Sequence, residues 1–102
     1  MSTITLSDMR AAAGQASGLL RALANEDRLL LLCQLSQGEK SVGELEESVG
    51  IRQPTLSQQL GVLRNEGLVA TRRDGKRIYY SVADPKALAV LSTLYQLYCP
   101  KE

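Results

Sequence analysis

Two cysteines, Cys33 and Cys99, and the absence of any histidine bound the chemistry open to this 102-residue chain. A thiol pair can be joined as a disulfide or through additional sulfur atoms, and its thiolates are nucleophiles. Two cysteines are too few for a secreted disulfide scaffold. Without histidine the chain lacks the commonest metal ligand and the commonest general base. The cysteines do not form a Cys-x-x-Cys motif, which speaks against a dithiol oxidoreductase. The expectation is a protein that is not an enzyme, holds no metal and needs no cofactor. Taken alone, Cys33 in the run LLLLCQL also reads as a small buried hydrophobe. Cys99, next to Pro100, is expected at a helix end with access to solvent.

A second set of residues suits a polyanion. Residues 51–80 carry six basic side chains (Arg52, Arg64, Arg72, Arg73, Lys76, Arg77) against Glu66 and Asp74, a net of +4. Residues 1–50 carry a net of −3, and the chain as a whole only +1. Positive charge gathered into one stretch of a near-neutral protein is the pattern of a nucleic-acid-binding face. Within that stretch lie Gln53, Thr55, Ser57 and Gln58. A glutamine amide can bond adenine in two places, which makes Gln58 the leading base reader. Gln53, Thr55 and Ser57 cluster at a helix start, where backbone N–H groups favour phosphate. Arg52, Arg64 and the four basic residues at 72, 73, 76 and 77 are expected on phosphates, setting affinity but not sequence.

These residues need elements to hold them. Ala12, Ala16, Leu19, Leu20 and Leu23 recur at helical spacing and predict a first helix over about 8–24. Asn25 is an N-cap for a second helix near 26–37, apolar nearly all round and expected to be buried on most sides. Ser41 and Glu44 fit a capping box that opens a short helix ended by Gly50. A further helix is expected from about Gln53-Pro54, with proline in its first turn, Leu56, Leu60 and Leu63 as its apolar stripe and Gly67 as its end. Two short helices across a tight break form a helix-turn-helix. Asp74-Gly75 between two strand-like runs signals a hairpin. In its second strand Ile78, Tyr80 and Val82 should pack while Arg77, Tyr79 and Ser81 stay wet. Asp84 and Pro85 open a last helix to about Tyr98. Its apolar residues occupy more than one side, which calls for two partners. The fold expected is mainly α with a small β-hairpin: a winged helix-turn-helix of five helices and a two-stranded wing, in the order ααααββα. It forms a single DNA-binding domain over 1–102, with the helix-turn-helix at about 42–66 and the wing at about 69–82. The second helix of the motif would enter the major groove, and the wing would reach the adjacent backbone or minor groove.

The segment SVGELEESVGIRQPTLSQQLGVLRNEGLVATRRDGKRIYYSV resembles the arsenical-repressor (ArsR/SmtB) family of bacterial winged-helix repressors, and ALANEDRLLLLCQL resembles the helix that precedes it there. The resemblance runs over roughly Leu19 to Cys99. It implies a homodimer built on the helices at about 8–24 and 85–99, binding double-stranded operator DNA at an imperfect palindrome and released by an inducer. Gln59 stands where the family pattern often has histidine, and it joins the DNA-facing candidates. The family's thiol-rich metal site would fall near Ser41–Leu45, where there is no cysteine, and its last-helix site uses histidines. Cys33 and Cys99 instead resemble the sulfide- and redox-responsive dithiol branch. On that likeness they are the redox-sensing pair, bridged as a disulfide or polysulfide by reactive sulfur species or oxidants. The alternatives are a metal- or metalloid-responsive repressor, a winged-helix protein without inducer-sensing thiols, and a protein-docking module.

No apolar stretch approaches the roughly 20 residues that span a membrane, and MSTITLSDMR lacks the pattern of a secretory signal. The expected compartment is the cytoplasm.

Overall fold

The computed structural model describes residues 3–99; residues 1, 2 and 100–102, which include both ends of the expected domain, lie outside them. The elements run α1 (Leu6–Leu23), α2 (Glu26–Ser36), β1 (Lys40–Ser41), α3 (Val42–Val49), α4 (Thr55–Asn65), β2 (Val69–Asp74), β3 (Arg77–Val82) and α5 (Pro85–Tyr98). This is a winged helix-turn-helix with five helices, and its sheet has three strands in the order β1-β3-β2.

Local signals start most helices. Asn25 caps α2 by accepting from the Arg28 N–H, and Asp84 caps α5 by accepting from Lys86. Ser41 and Glu44 close a reciprocal capping box on α3, and Gly50 ends that helix at a φ of 70°. There a side chain would meet the left-handed region that glycine occupies without cost. α1 begins two residues before the expected Asp8. Thr5 accepts from the Asp8 N–H while Asp8 reaches back, so Asp8 is the third helical residue.

Three further features differ from the sequence reading. α4 starts at Thr55, with Pro54 as its N-cap, outside the first turn. The third strand, β1, was not expected: Lys40 and Ser41 pair with Tyr80 and Tyr79 of β3. In the hairpin Asp74 pairs with Arg77, so the connecting residues are Gly75 and Lys76 in place of Asp74 and Gly75.

The core is a leucine cluster shared by all the helices. Leu31, Leu32, Leu45, Leu56 and Leu63 are fully buried, with Leu60 nearly so, and Leu68 and Val69 close the wing end. α2 is central, packing on α1, α3, α4, α5 and β3. It is not buried all round, since Leu30 is 43% exposed. On β3, Tyr80 and Val82 pack against the core as expected, whereas Ile78 is exposed because the hairpin has by then run past the core.

α1 anchors only its end. Residues 3–17 are exposed, and Ala22 and Leu23 carry the buried contacts. The projecting helix raises the radius of gyration to 15.5 Å, against about 13 Å for a compact chain of this length.

Candidate DNA-reading face and thiol pair

The buried stripe Leu56, Leu60 and Leu63 fixes which side of α4 meets the protein. The other side presents Ser57, Gln58, Arg64 and Asn65 to solvent, with Thr55 half-buried at the start. Among the described residues no side-chain hydrogen bond restrains Gln58, whose backbone N–H donates to the Pro54 carbonyl at 3.1 Å. Pro54 supplies no side-chain cap. Gln53 does so from one residue upstream, its Oε1 accepting the Ser57 N–H at 3.1 Å. This satisfies a helix-start donor that has no intrahelical acceptor. Arg52 is exposed beside it.

Gln59 is placed differently from Gln58. It is half-buried, and its Oε1 accepts from Arg28 Nη1 at 2.9 Å. Its carbonyl is therefore already committed inside the protein. Arg28 was not among the residues singled out from sequence. It is visible there only as one charge in the first turn of an apolar helix.

The wing divides its cations. Arg73, Lys76 and Arg77 are exposed at the hairpin end. Arg72 is held by Glu39 in a two-pronged pair, Nε to Oε2 at 2.9 Å and Nη2 to Oε1 at 2.6 Å. Its guanidinium also lies 4.8 Å from the centre of the Tyr79 ring. The bond from Arg72 holds the Glu39 carboxyl below its ordinary range, and Glu39 in turn raises Arg72 above its own. Arg72 is thus tied to the α2–β1 connection, unlike the other three wing cations.

Cys33 sits in the second half of α2, half-buried and packed against the core. Cys99 is exposed at the C-cap of α5, its N–H donating to the Tyr95 carbonyl at 3.0 Å. Both are free thiols. Burial pushes the Cys33 thiol above its ordinary value, and the charge of Cys99 pushes it the same way. The two thiols lie on helices that are in contact, α2 and α5.

The family model for bacterial regulatory proteins of the arsR family matches residues 25–71, from the N-cap of α2 into β2. The biofilm growth-associated repressor of Agrobacterium fabrum is 52% identical over 97% of this chain and 85% of its own length. The chain belongs to the arsR family. Reduced HlyU from Vibrio cholerae N16961 superposes with a TM-score of 0.88 at 40% identity, covering 93% of this chain and all of that one. The homodimeric winged helix-turn-helix DNA-binding domain of Mb0332 from Mycobacterium bovis superposes with a TM-score of 0.76 at 31% identity, covering 95% of this chain and 89% of that one. This arsR-family protein is a DNA-binding transcriptional regulator and not an enzyme. Among its described residues there is no group of three or more His, Cys, Asp or Glu side chains able to hold a metal ion, and no helix long and apolar enough to cross a membrane.

Proposed function

We propose that the protein is a homodimeric cytoplasmic repressor that reads an imperfect palindrome with α4 and lets go when Cys33 and Cys99 are bridged. The observation that carries this reading is a half-buried thiol on α2 and an exposed thiol ending α5, on two helices that are in contact. The repressor named in Agrobacterium fabrum and the reduced form described for HlyU support it as relatives.

On DNA, Gln58 reads a base edge in the major groove, with Thr55, Ser57 and Gln53 at the helix start nearest the backbone. Arg52, Arg64, Arg73, Lys76 and Arg77 neutralise phosphates. Two such helices about 34 Å apart meet successive turns of one groove face. The second copy covers the apolar residues left bare on α1 and α5. These include Leu6 at 68%, Leu97 at 70% and Tyr98 at 79% exposure. An open groove beside α1 is lined by Ala12, Ala16, Leu19 and Leu68 together with the charged Glu66 and Lys86.

The switch consists of two thiol-exchange steps. Cys99, being exposed, attacks a sulfur of an organic polysulfide, forming one S–S bond and expelling one thiolate. Cys33 then attacks the sulfur chain carried by Cys99, forming the second bond and expelling the second thiolate. The protein pair loses two electrons and the donor gains them as two thiolates. A disulfide needs Cα atoms about 4.4–6.8 Å apart, and retained sulfur atoms relax that limit. Either bridge ties the end of α5 to α2 and changes the spacing of the two reading helices.

Gel-shift titrations of reduced and polysulfide-treated protein on DNA selected by the reduced protein test this. Treated wild type should release the DNA, while Cys33→Ser and Cys99→Ser bind normally and ignore the treatment. Loss of binding by either reduced variant would make that cysteine structural.

A further inference from the structure

Arg28 makes more side-chain hydrogen bonds than any other described arginine, and from α2 it bonds two other helices, α1 and α4. Its Nε donates to the Ala22 carbonyl at 2.6 Å and its Nη2 to the Arg21 carbonyl at 3.3 Å. Both acceptors belong to the last turn of α1, where carbonyls lack donors from a following turn, although the Arg21 carbonyl also accepts from the Ala24 N–H at 3.3 Å. Its Nη1 donates to Gln59 Oε1 on α4 at 2.9 Å. Arg28 itself lies in the first turn of α2. Among the described residues, side-chain pairs from distant segments are hydrogen-bonded in two places only, Arg28 with Gln59 and Arg72 with Glu39.

The buried residues of α4 are all leucines. Apolar burial is strong but has no direction, so Leu56, Leu60 and Leu63 hold α4 down without fixing its rotation to a fraction of an ångström. A planar guanidinium with a rigid fork of donors is directional. Gln59 is the immediate neighbour of Gln58, about 100° around the helix. Fixing Gln59 therefore fixes the bearing of Gln58 towards the groove.

We infer that Arg28 is a positioning residue for sequence reading: through Gln59 it sets the rotation of α4 relative to the end of α1, and Gln59 serves as its anchor and reads no base. The inference rests on α4 being the groove helix. If the bond is broken, Gln58 can still reach DNA but no longer meets one base with one geometry. Affinity for arbitrary duplex, set by phosphate contacts, stays the same. Discrimination between the selected site and arbitrary duplex falls.

The test uses duplex selected by the wild-type protein from a random-sequence pool, against a scrambled duplex, with full-length Arg28→Met, Gln59→Leu, the double variant and Gln59→Glu. Gln59→Leu should lower the selected-to-scrambled ratio by about tenfold to a hundredfold, the loss expected for one hydrogen bond to a charged group. Scrambled-duplex affinity and its salt slope should not change. The double variant should be no worse than the worse single one, as for two residues acting through one bond. Gln59→Glu, which keeps an acceptor for Arg28, should retain the ratio. An unchanged ratio in Gln59→Leu overturns the inference. Additive losses in the double variant also overturn it, because Gln59 would then be reading DNA independently. If Arg28→Met does not fold, the contrast between Gln59→Leu and Gln59→Glu decides alone, since equal losses in both would refute the anchor role. Failure of the wild type to select any sequence would instead refute α4 as the reader.

Discussion

Cys33 and Cys99 are one residue type in two environments, and in the proposed switch that difference sets the order in which they react. Cys99 is exposed, so donors meet it first. Cys33 is half-buried, and burial together with the nearby Cys99 charge favours its protonated form. Timed alkylation at neutral pH, followed by peptide mass mapping, should label Cys99 well ahead of Cys33. Labelling of Cys33 should accelerate only as pH rises past the ordinary thiol range. The linkage has a definite sign: the folded state holds the Cys33 proton more tightly, so stability falls as pH rises through that range.

The wing arginines divide in the same way. Arg77→Ala should flatten the salt dependence of DNA binding by about 0.9 per lost phosphate contact, about two units for a dimer. Arg72→Ala should leave that slope nearly unchanged, because Glu39 already neutralises Arg72. Equal slope changes in the two variants would contradict the division. Sequence could not separate these residues, since Arg72 and Arg73 are neighbours of one type and Glu39 lies 33 positions from Arg72.

Among the elements, helix starts were legible because their signals are local. Asn25, Ser41 with Glu44, and Asp84 with Pro85 each carry a cap within three residues of what they cap. The apolar stripe of α4 was legible for the same reason. β1 was not, because two residues show no alternation and Lys40 and Ser41 become a strand only by pairing with β3. The start of α4 also differs from the expectation: its N-cap is Pro54, and the side chain that accepts from its first turn is Gln53, outside the usual capping set. The link between Arg28 and Gln59 leaves no local trace, spanning 31 positions.

Two outcomes belong to this scale. Ser41→Ala should cost about 1 kcal/mol, and Leu31→Ala, at the centre of α2, about 2–5 kcal/mol, both read by denaturant unfolding. The pair joining Glu39 and Arg72 is solvent-exposed and should add little to global stability. It should still dock the wing above the ordinary carboxylate range and release it as pH falls through the lowered Glu39 value. The Arg72 Nε–H resonance in a pH titration reports this.

For the whole molecule, α1 and α5 each bury only two residues in the core and leave large apolar side chains exposed. Tyr98→Asp, on the bare side of α5, should shift sedimentation from dimer towards monomer and weaken operator binding more than scrambled-duplex binding. A dimer that survives this change, alone and in combination with Leu6→Asp, would place the interface elsewhere. Sequence conveyed that α5 is apolar on more than one side, but not that α1 projects with residues 3–17 bare. Its alanines read equally well as tight packing within one chain. In the proposed switch the signal at Cys33 and Cys99 reaches the DNA-facing helix through α2, which touches both α5 and α4.

The most direct measurement takes one sample of dimer on its selected operator, adds polysulfide, and reads intact mass and operator occupancy from the same aliquots. The account predicts that a monomer mass with Cys33 and Cys99 joined, as a disulfide or with sulfur atoms added, accumulates in step with release. Full conversion to that bridged mass with occupancy unchanged would contradict it.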